Sequence, residues 1–204
     1  PWDAYDVDVV IDATGRFLKG DELSAHLDSG AKRVFISRNA KDTIDRYVIP
    51  GINESSIKSS DQIISTTSST TQVLALMVKM LDESFGLNRA MMTTVHAYTA
   101  DQPLADAAGV DLRRSRSAVE NIIPNTTLAP SIVENLMPQF SGRLDGIAFN
   151  VPVPNGSCVD LTTELKNTPS VDEANDAIKN FSKGSLKGIV GYTEDPIVSS
   201  DVNG

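Results

Sequence analysis

Cysteine, histidine and long apolar runs are scarce in this chain, and each scarcity excludes a class of protein. The one cysteine, Cys158, cannot form an internal disulfide and is compatible with a reducing compartment. Two histidines and one cysteine are too few for a structural zinc site. No apolar run approaches the roughly 18 residues of a membrane span, and the first residues lack the pattern of a signal peptide. We therefore expect a cytoplasmic protein without a metal or a membrane partner.

Positive charge is also scarce. The chain carries 18 Lys and Arg against 27 Asp and Glu, a formal net charge of −9. A general nucleic-acid surface needs clustered Lys and Arg, so we expect no nucleic-acid partner. The one dense basic cluster lies in residues 111–116, and it indicates either an ordinary surface patch or a site for a small anionic ligand.

The first third of the chain alternates strand and helix patterns. A β-branched run at residues 7–12 predicts a buried strand, residues 19–29 predict a helix ended by Gly30, and residues 34–37 predict a second strand. This order within about thirty residues is typical of a parallel crossover unit. Two further strands are predicted at residues 47–51 and 62–65.

The remainder of the chain has longer sheet-like segments. Strands are predicted at residues 90–96, 146–151 and 157–162, and we expect Cys158 in the third strand to be a buried structural thiol. Residues 97–124 have no regular pattern, which is typical of a functional or a disordered loop. The other predicted elements are helices at residues 128–136 and 171–181, the latter capped by Ser170 with Glu173 at the capping-box position.

Seven consecutive hydroxyl residues, 65–71, stand between a predicted strand and a helix predicted at residues 73–81. A helix start after a strand leaves free backbone N–H groups and a partial positive charge facing a ligand. The alternative is plain N-capping, for which Ser and Thr are preferred. Capping needs only one such residue, so the run favours a ligand site. The composition also changes here, and we predict a domain boundary between residues 67 and 68.

Seven stretches together resemble the glyceraldehyde-3-phosphate dehydrogenase family, in the family's order and with similar spacing. They are residues 9–15 (VVIDATG), 30–37 (GAKRVFIS), 93–99 (TTVHAYT), 121–124 (NIIP), 151–154 (VPVP), 159–162 (VDLT) and 198–201 (VSSD). The resemblance implies an α/β fold: part of a doubly wound (Rossmann) NAD(P)-binding domain in residues 1–67, and an α+β catalytic domain with a large mixed sheet in residues 68–204. It also implies a homo-oligomer, a tetramer.

The family oxidises a small phosphorylated aldehyde with NAD or NADP and inorganic phosphate. Its cysteine adds to the aldehyde, a histidine takes the proton, hydride leaves for the nicotinamide, and phosphate cleaves the thioester. In this sequence the nucleophile position is Ser69 and the base position is His96. The substrate- and phosphate-binding positions are Ser68, Thr70, Thr99, Asp101, Arg114, Thr127 and Asn150. The cofactor-binding positions are Ala13, Thr14, Gly15, Phe17 and Ser37.

Four positions in or beside this set depart from the family pattern. Ser69 replaces the cysteine, Asn150 replaces an arginine, Leu128 replaces a glycine and Ala100 replaces an asparagine. We interpret the four changes as natural loss of the phosphorylating reaction. The alternatives are a non-catalytic nucleotide-binding or assembly paralogue, and an active enzyme carrying an engineered cysteine-to-serine change at Ser69. The Gly-x-Gly-x-x-Gly turn of the family's cofactor domain does not occur, so we expect a fragment of a longer polypeptide.

Overall fold

The fold consists of two compact units, each with its own sheet. The computed structural model describes residues 1–203, and the units are Pro1–Lys79 and Met80–Gly204. The strands are β1 (Val9–Asp12), β2 (Arg33–Ile36), β3 (Arg46–Tyr47), β4 (Ile63–Ser65), β5 (Leu87–Ala97), β6 (Ile123–Asn125), β7 (Leu144–Val151) and β8 (Cys158–Leu165). The helices are α1 (Gly20–Asp28), α2 (Ser69–Phe85), α3 (Ala129–Leu136) and α4 (Val171–Lys183).

The sheet of the first unit is parallel throughout, in the order β1-β2-β4-β3. Asp12 at the end of β1 pairs with Ile36 of β2, and Ile36 in turn pairs with Ser65 of β4. The carboxyl ends of three neighbouring strands therefore meet at one edge of the sheet. The predicted strand, helix, strand order of a parallel crossover unit is confirmed.

Helix α1 is amphipathic for a reason visible in its sequence. Leu23 and Leu27 lie four residues apart, and Leu23 is completely buried against Val34 and Ile36 of β2. The Glu22 carboxylate accepts hydrogen bonds from the backbone N–H groups that precede the helix. At the other end, Gly30 adopts a φ of +108°, a conformation that favours glycine.

The sheet of the second unit is mixed, in the order β6-β7-β5-β8. β5 and β7 are parallel, whereas β8 pairs antiparallel with β5 and β6 pairs antiparallel with β7. Along β5, residues alternate between a buried face that carries Met92 and Thr94 and an open face that carries Met91. The predicted mixed sheet is confirmed.

Some sequence predictions for the second unit are confirmed, and others are wrong. The Ser170 cap of α4 is confirmed, and its hydroxyl accepts from the Glu173 N–H at 3.3 Å. Residues 98–122 contain no helix or strand, as expected, but the short strand β6 that follows was not predicted. The expectation of a buried Cys158 is wrong: this thiol is exposed, because β8 is an edge strand and Cys158 lies on its open face.

No helix within residues 1–203 is long and apolar enough to cross a membrane.

Candidate functional site

The hydroxyl turn, residues 65–71, is anchored to the end of β2 in the first unit. The Ser65 hydroxyl donates to the Arg38 carbonyl at 2.6 Å, and the Thr66 N–H donates to the Ile36 carbonyl at 3.0 Å. The Thr67 N–H then donates to the Ser65 hydroxyl at 3.0 Å. These contacts fix the path of the chain from the sheet to the start of α2.

Thr67 is strained within this turn. It is buried and has a φ of +64°, which a β-branched residue rarely adopts. Such strain persists only where the surrounding structure imposes it, and it is concentrated at functional sites. The conformation places the next residue, Ser68, at the start of the helix.

The first turn of α2 presents two hydroxyls that the fold does not use. Ser68 is the N-cap: its hydroxyl accepts from the Thr71 N–H at 3.2 Å and lies 2.7 Å from the Thr71 hydroxyl. Within residues 1–203, the hydroxyls of Ser69 and Thr70 have no hydrogen-bond partner, and Ser69 is exposed. Because the first turn of this 17-residue helix holds no acidic residue, its positive end remains uncompensated there.

The β1 turn, Ala13 to Gly15, lies at the same edge of the sheet. The Thr14 N–H and hydroxyl both donate to one carboxylate oxygen of Asp12, at 2.8 and 2.7 Å. Gly15 has a φ of +68°, and a Cβ added there would lie 2.6 Å from Nη1 of Arg38. Ser37 follows β2 and donates its N–H to the Asp12 carbonyl at 3.3 Å. The Arg38 guanidinium, which the sequence did not single out, therefore lies against the turn.

A second group of side chains, the His26 cluster, joins Trp2, Asp12 and His26 behind this turn. The Trp2 indole N–H donates to Nδ1 of His26 at 3.2 Å, and Nε2 of His26 lies 3.3 Å from Asp12. Burial alone would raise the pKa of Asp12, but the Thr14 hydrogen bonds and the His26 contact outweigh it and hold that pKa below its ordinary value. Phe17 meets the His26 ring edge-on, with ring centroids 6.0 Å apart.

In the second unit, His96 lies one residue before the end of β5 and is half-buried. Its Nδ1 lies 2.7 Å from the carbonyl oxygen of Ala97. A carbonyl oxygen can only accept, so Nδ1 carries a proton, and in the neutral ring Nε2 then carries the lone pair. Nε2 has no hydrogen-bond partner within residues 1–203. The ring can therefore take up a proton at Nε2.

Asn150 pairs with His96 across the β5–β7 register and is only 6% exposed. Its side-chain N–H donates to the Ala97 carbonyl at 3.1 Å. Its side-chain oxygen accepts from the Asn125 amide at 3.3 Å. Both ends of the Asn150 amide are thus used inside the unit.

Thr99, Asp101 and Arg114 come together in the irregular segment after β5. Asp101 accepts a hydrogen bond from the Thr99 hydroxyl and forms an ion pair with Arg114. Burial would raise the pKa of Asp101, yet the Thr99 hydroxyl and the Arg114 charge hold it below its ordinary value. A cavity of about 420 Å³ lies beside them and is also lined by Gln102, a buried residue whose side-chain N–H group has no partner among residues 1–203.

Thr127 shares no hydrogen bond with the groups described above. Its hydroxyl accepts from the Ala129 N–H at 3.2 Å at the start of α3, which is a capping contact. The next side chain, Leu128, is 64% exposed. Within residues 1–203, no group of three or more His, Cys, Asp and Glu side chains is arranged to hold a metal ion.

The family model described as "Glyceraldehyde 3-phosphate dehydrogenase, C-terminal domain" matches residues 68–204. The chain belongs to the glyceraldehyde-3-phosphate dehydrogenase family. The resemblance drawn from the seven short stretches is confirmed, and so is the α/β fold class.

Curated members of the glyceraldehyde-3-phosphate dehydrogenase family match over nearly the whole chain. The glyceraldehyde-3-phosphate dehydrogenase of Mycobacterium bovis is 47% identical over 202 residues, which cover 99% of this chain and 59% of that protein. Those of Streptomyces coelicolor and Geobacillus stearothermophilus are 48% and 46% identical, each over all of this chain and 61% of the relative. The chain thus spans about 60% of the length of these relatives.

Sequence reasoning found the positions of the family motif but missed their local partners. Arg38 against Gly15, Trp2 against His26 and Asn150 against Ala97 are contacts between residues far apart in the chain. No periodicity or spacing marks such pairs. The β5–β7 register that brings Asn150 opposite His96 is likewise an observation of the structure.

Proposed function

We propose that this chain is part of a glyceraldehyde-3-phosphate dehydrogenase-like protein that has lost phosphorylating aldehyde oxidation and keeps weak binding of anions and nucleotide. The observation that carries the proposal is Ser69, an exposed hydroxyl at the start of α2, at the position of the family's cysteine. By resemblance to the family, the base position is His96, whose Nε2 has no hydrogen-bond partner within residues 1–203.

The loss follows from the acidity of the attacking atom. A cysteine thiol has an ordinary pKa near 8.5, and a helix N-terminus lowers it into the working range of an enzyme. A serine hydroxyl is a far weaker acid, so the same helix start cannot hold a useful fraction of alkoxide. An ester formed through Ser69 would also react more slowly with phosphate than a thioester does.

The phosphate side of the site is altered as well. Arginine binds a phosphate through two parallel hydrogen bonds, but Asn150 replaces it and its amide is occupied by Ala97 and Asn125. Leu128 adds an exposed side chain where a glycine would leave the backbone open. The Arg114 guanidinium and the unpartnered N–H of Gln102 remain, and they support weak binding of a small phosphorylated ligand or of phosphate.

NAD or NADP would be held by Ala13, Thr14, Gly15, Phe17 and Ser37. The first three residues and Ser37 follow the carboxyl ends of neighbouring parallel strands, where doubly wound sheets bind nucleotides. When bound, the nicotinamide supplies a hydride acceptor. The residues fit such a ligand, and the Arg38 guanidinium lies against Gly15 at the same edge of the sheet.

Restoring the altered residues in the full-length protein tests this proposal. We expect no phosphorylating oxidation of glyceraldehyde 3-phosphate or erythrose 4-phosphate by the natural protein, a deficit on the order of 10⁴-fold or more relative to an intact family site. Ser69→Cys alone should restore little, and adding Asn150→Arg and Leu128→Gly should restore phosphate affinity and activity stepwise. Full activity from Ser69→Cys alone would instead show an otherwise intact enzyme, as an engineered trapping change implies.

A non-catalytic assembly protein is the second candidate, and the open face of the second sheet favours it. Met91 and Ile147 lie on neighbouring strands and are 40% and 42% exposed, so this face can bury apolar surface against another copy. Both proposals include a cytoplasmic homo-oligomer, which by family resemblance is a tetramer. Calorimetric titration with NAD separates them: absence of heat at millimolar cofactor, in a protein that scatters light as an oligomer, favours assembly.

A further inference from the structure

The carbonyl oxygen of Ala97 accepts hydrogen bonds from two side chains. Nδ1 of His96 donates at 2.7 Å and the amide of Asn150 donates at 3.1 Å. The N–H of the same peptide, which belongs to Tyr98, donates to the Val153 carbonyl at 3.1 Å. The peptide is thus held at both of its polar atoms.

Asn150 is well placed to fix this carbonyl. It is 6% exposed, it faces His96 across two parallel strands, and its own oxygen is held by the Asn125 amide at 3.3 Å. A buried amide with both ends bonded has few alternative rotamers, so its N–H points at one place. An arginine at this position could not make the same pair of contacts, because a guanidinium group has no acceptor atom for the hydrogen bond from Asn125.

The carbonyl in turn decides which nitrogen of His96 carries the proton. An unconstrained neutral imidazole favours the Nε2–H form, in which Nε2 has no lone pair. The acceptor at 2.7 Å from Nδ1 stabilises the opposite form, in which Nε2 can receive a proton.

We propose that Asn150 is a positioning residue that holds the Ala97 carbonyl where it fixes His96 in the Nδ1–H form. The role of Nε2 as a proton acceptor in a reaction rests on the proposed function, whereas the tautomer does not. Asn150 thus acts on the imidazole through the peptide that follows it.

The test is the ¹⁵N spectrum of His26 and His96 in the full-length protein, recorded near pH 8, well above the ordinary imidazole pKa of about 6.5. We expect His96 in the Nδ1–H form in the natural protein and a several-fold rise of its Nε2–H population in Asn150→Leu. His26, whose Nδ1 accepts from Trp2, is the internal control and should remain Nε2–H in both proteins. An unchanged His96 tautomer in Asn150→Leu would overturn the proposal.

Two further variants keep the test decisive. Asn125→Ala leaves the Asn150 donor in place, so it should move the His96 tautomer less than Asn150→Leu does. Should Asn150→Leu fold poorly, Asn150→Asp keeps the shape and replaces the donor by an oxygen, and it should shift the tautomer in the same direction. The ¹³C chemical shift of the Ala97 carbonyl gives a second measurement, made on the Ala97–Tyr98 peptide with the Ala4–Tyr5 peptide as reference. It must move upfield when the Asn150 donor is lost. All of these readouts are made without substrate, so their failure is distinct from a failure of Ser69→Cys and its companions to restore activity.

Discussion

The two histidines of this chain are held in opposite ways, one in each unit. In the first unit, both ring nitrogens of His26 are engaged, Nδ1 by the Trp2 indole and Nε2 by the Asp12 carboxylate. In the second unit, only Nδ1 of His96 is engaged, by the carbonyl that follows it. The first ring is built into the packing, whereas the second leaves a basic nitrogen available.

This difference extends to the side chains around each ring. Asp12, the last residue of β1, is buried and accepts hydrogen bonds from both the N–H and the hydroxyl of Thr14. The His26 cluster is therefore bonded to the turn that follows β1. Around His96, the Asn150 amide supplies a donor to the backbone and leaves the ring itself free. The two rings therefore differ in which nitrogen lacks a partner among residues 1–203, and burial alone does not separate them, since both are half-buried.

Removing the buried carboxylate should have the largest effect on stability. Asp12→Ala leaves the Thr14 donors and the His26 ring without their acceptor, and we expect a loss of about 3 kcal/mol in the free energy of unfolding. Urea denaturation of the full-length protein measures it. Asp8→Ala is the matched control, because Asp8 is exposed and its pair with Lys32 is worth under about 1 kcal/mol. Equal losses in the two variants would contradict a structural role for the His26 cluster.

The same substitution at each histidine directly compares how much the two rings contribute to stability. His26→Gln removes the contacts with Trp2, Asp12 and Phe17 and should cost about 2 kcal/mol. His96→Gln removes one hydrogen bond from a half-buried ring and should cost about 1 kcal/mol or less. Chemical denaturation of both variants checks the order, and a costlier change at His96 would reverse the assignment of the two rings.

A smaller, pH-dependent effect should come from the pair of Arg46 and Asp61 in the first unit. The Arg46 guanidinium, helped by the Lys58 N–H, lowers the pKa of Asp61 to about 2. Because that pKa is lower in the folded than in the unfolded state, the pair stabilises the fold at neutral pH. The contribution is lost as pH falls from about 4 through about 2. Arg46→Gln should therefore lower Tm clearly at pH 7 and progressively less in acid, and a constant difference in Tm would exclude this origin.

Much of the fold could be predicted from the sequence because local patterns determined it. The apolar spacing of Leu23 and Leu27 and the capping box of Ser170 and Glu173 are properties of neighbouring residues, and both helices lie within two residues of their predicted ends. The strand β6 was missed because it has three residues and includes Pro124, which carries no strand signal. The start of α2 was placed too late because the hydroxyl residues read as a turn.

For the candidate site, the sequence predicts a set of positions, and the contacts of those positions come from the structure. The resemblance identified Ser69, His96 and Asn150 by their neighbours in sequence. The sequence did not predict three features of these segments: Ser68 caps helix α2, Asn150 donates to the Ala97 carbonyl, and Cys158 is exposed. Each of them depends on which atoms meet in the folded chain. A single sequence does not encode those distances in any local pattern.

The most direct test concerns the environment of residue 69 when it holds sulfur. In the Ser69→Cys, Cys158→Ser double variant of the full-length protein, alkylation by iodoacetamide is followed on the peptide that contains residue 69, at the start of α2. The dependence of its rate on pH gives the pKa of the introduced thiol. If the helix start still activates a nucleophile and the natural protein lacks only the sulfur there, that pKa will lie well below the ordinary value of about 8.5. A thiol that titrates at or above the ordinary value would contradict the assignment of residue 69 to a nucleophile position.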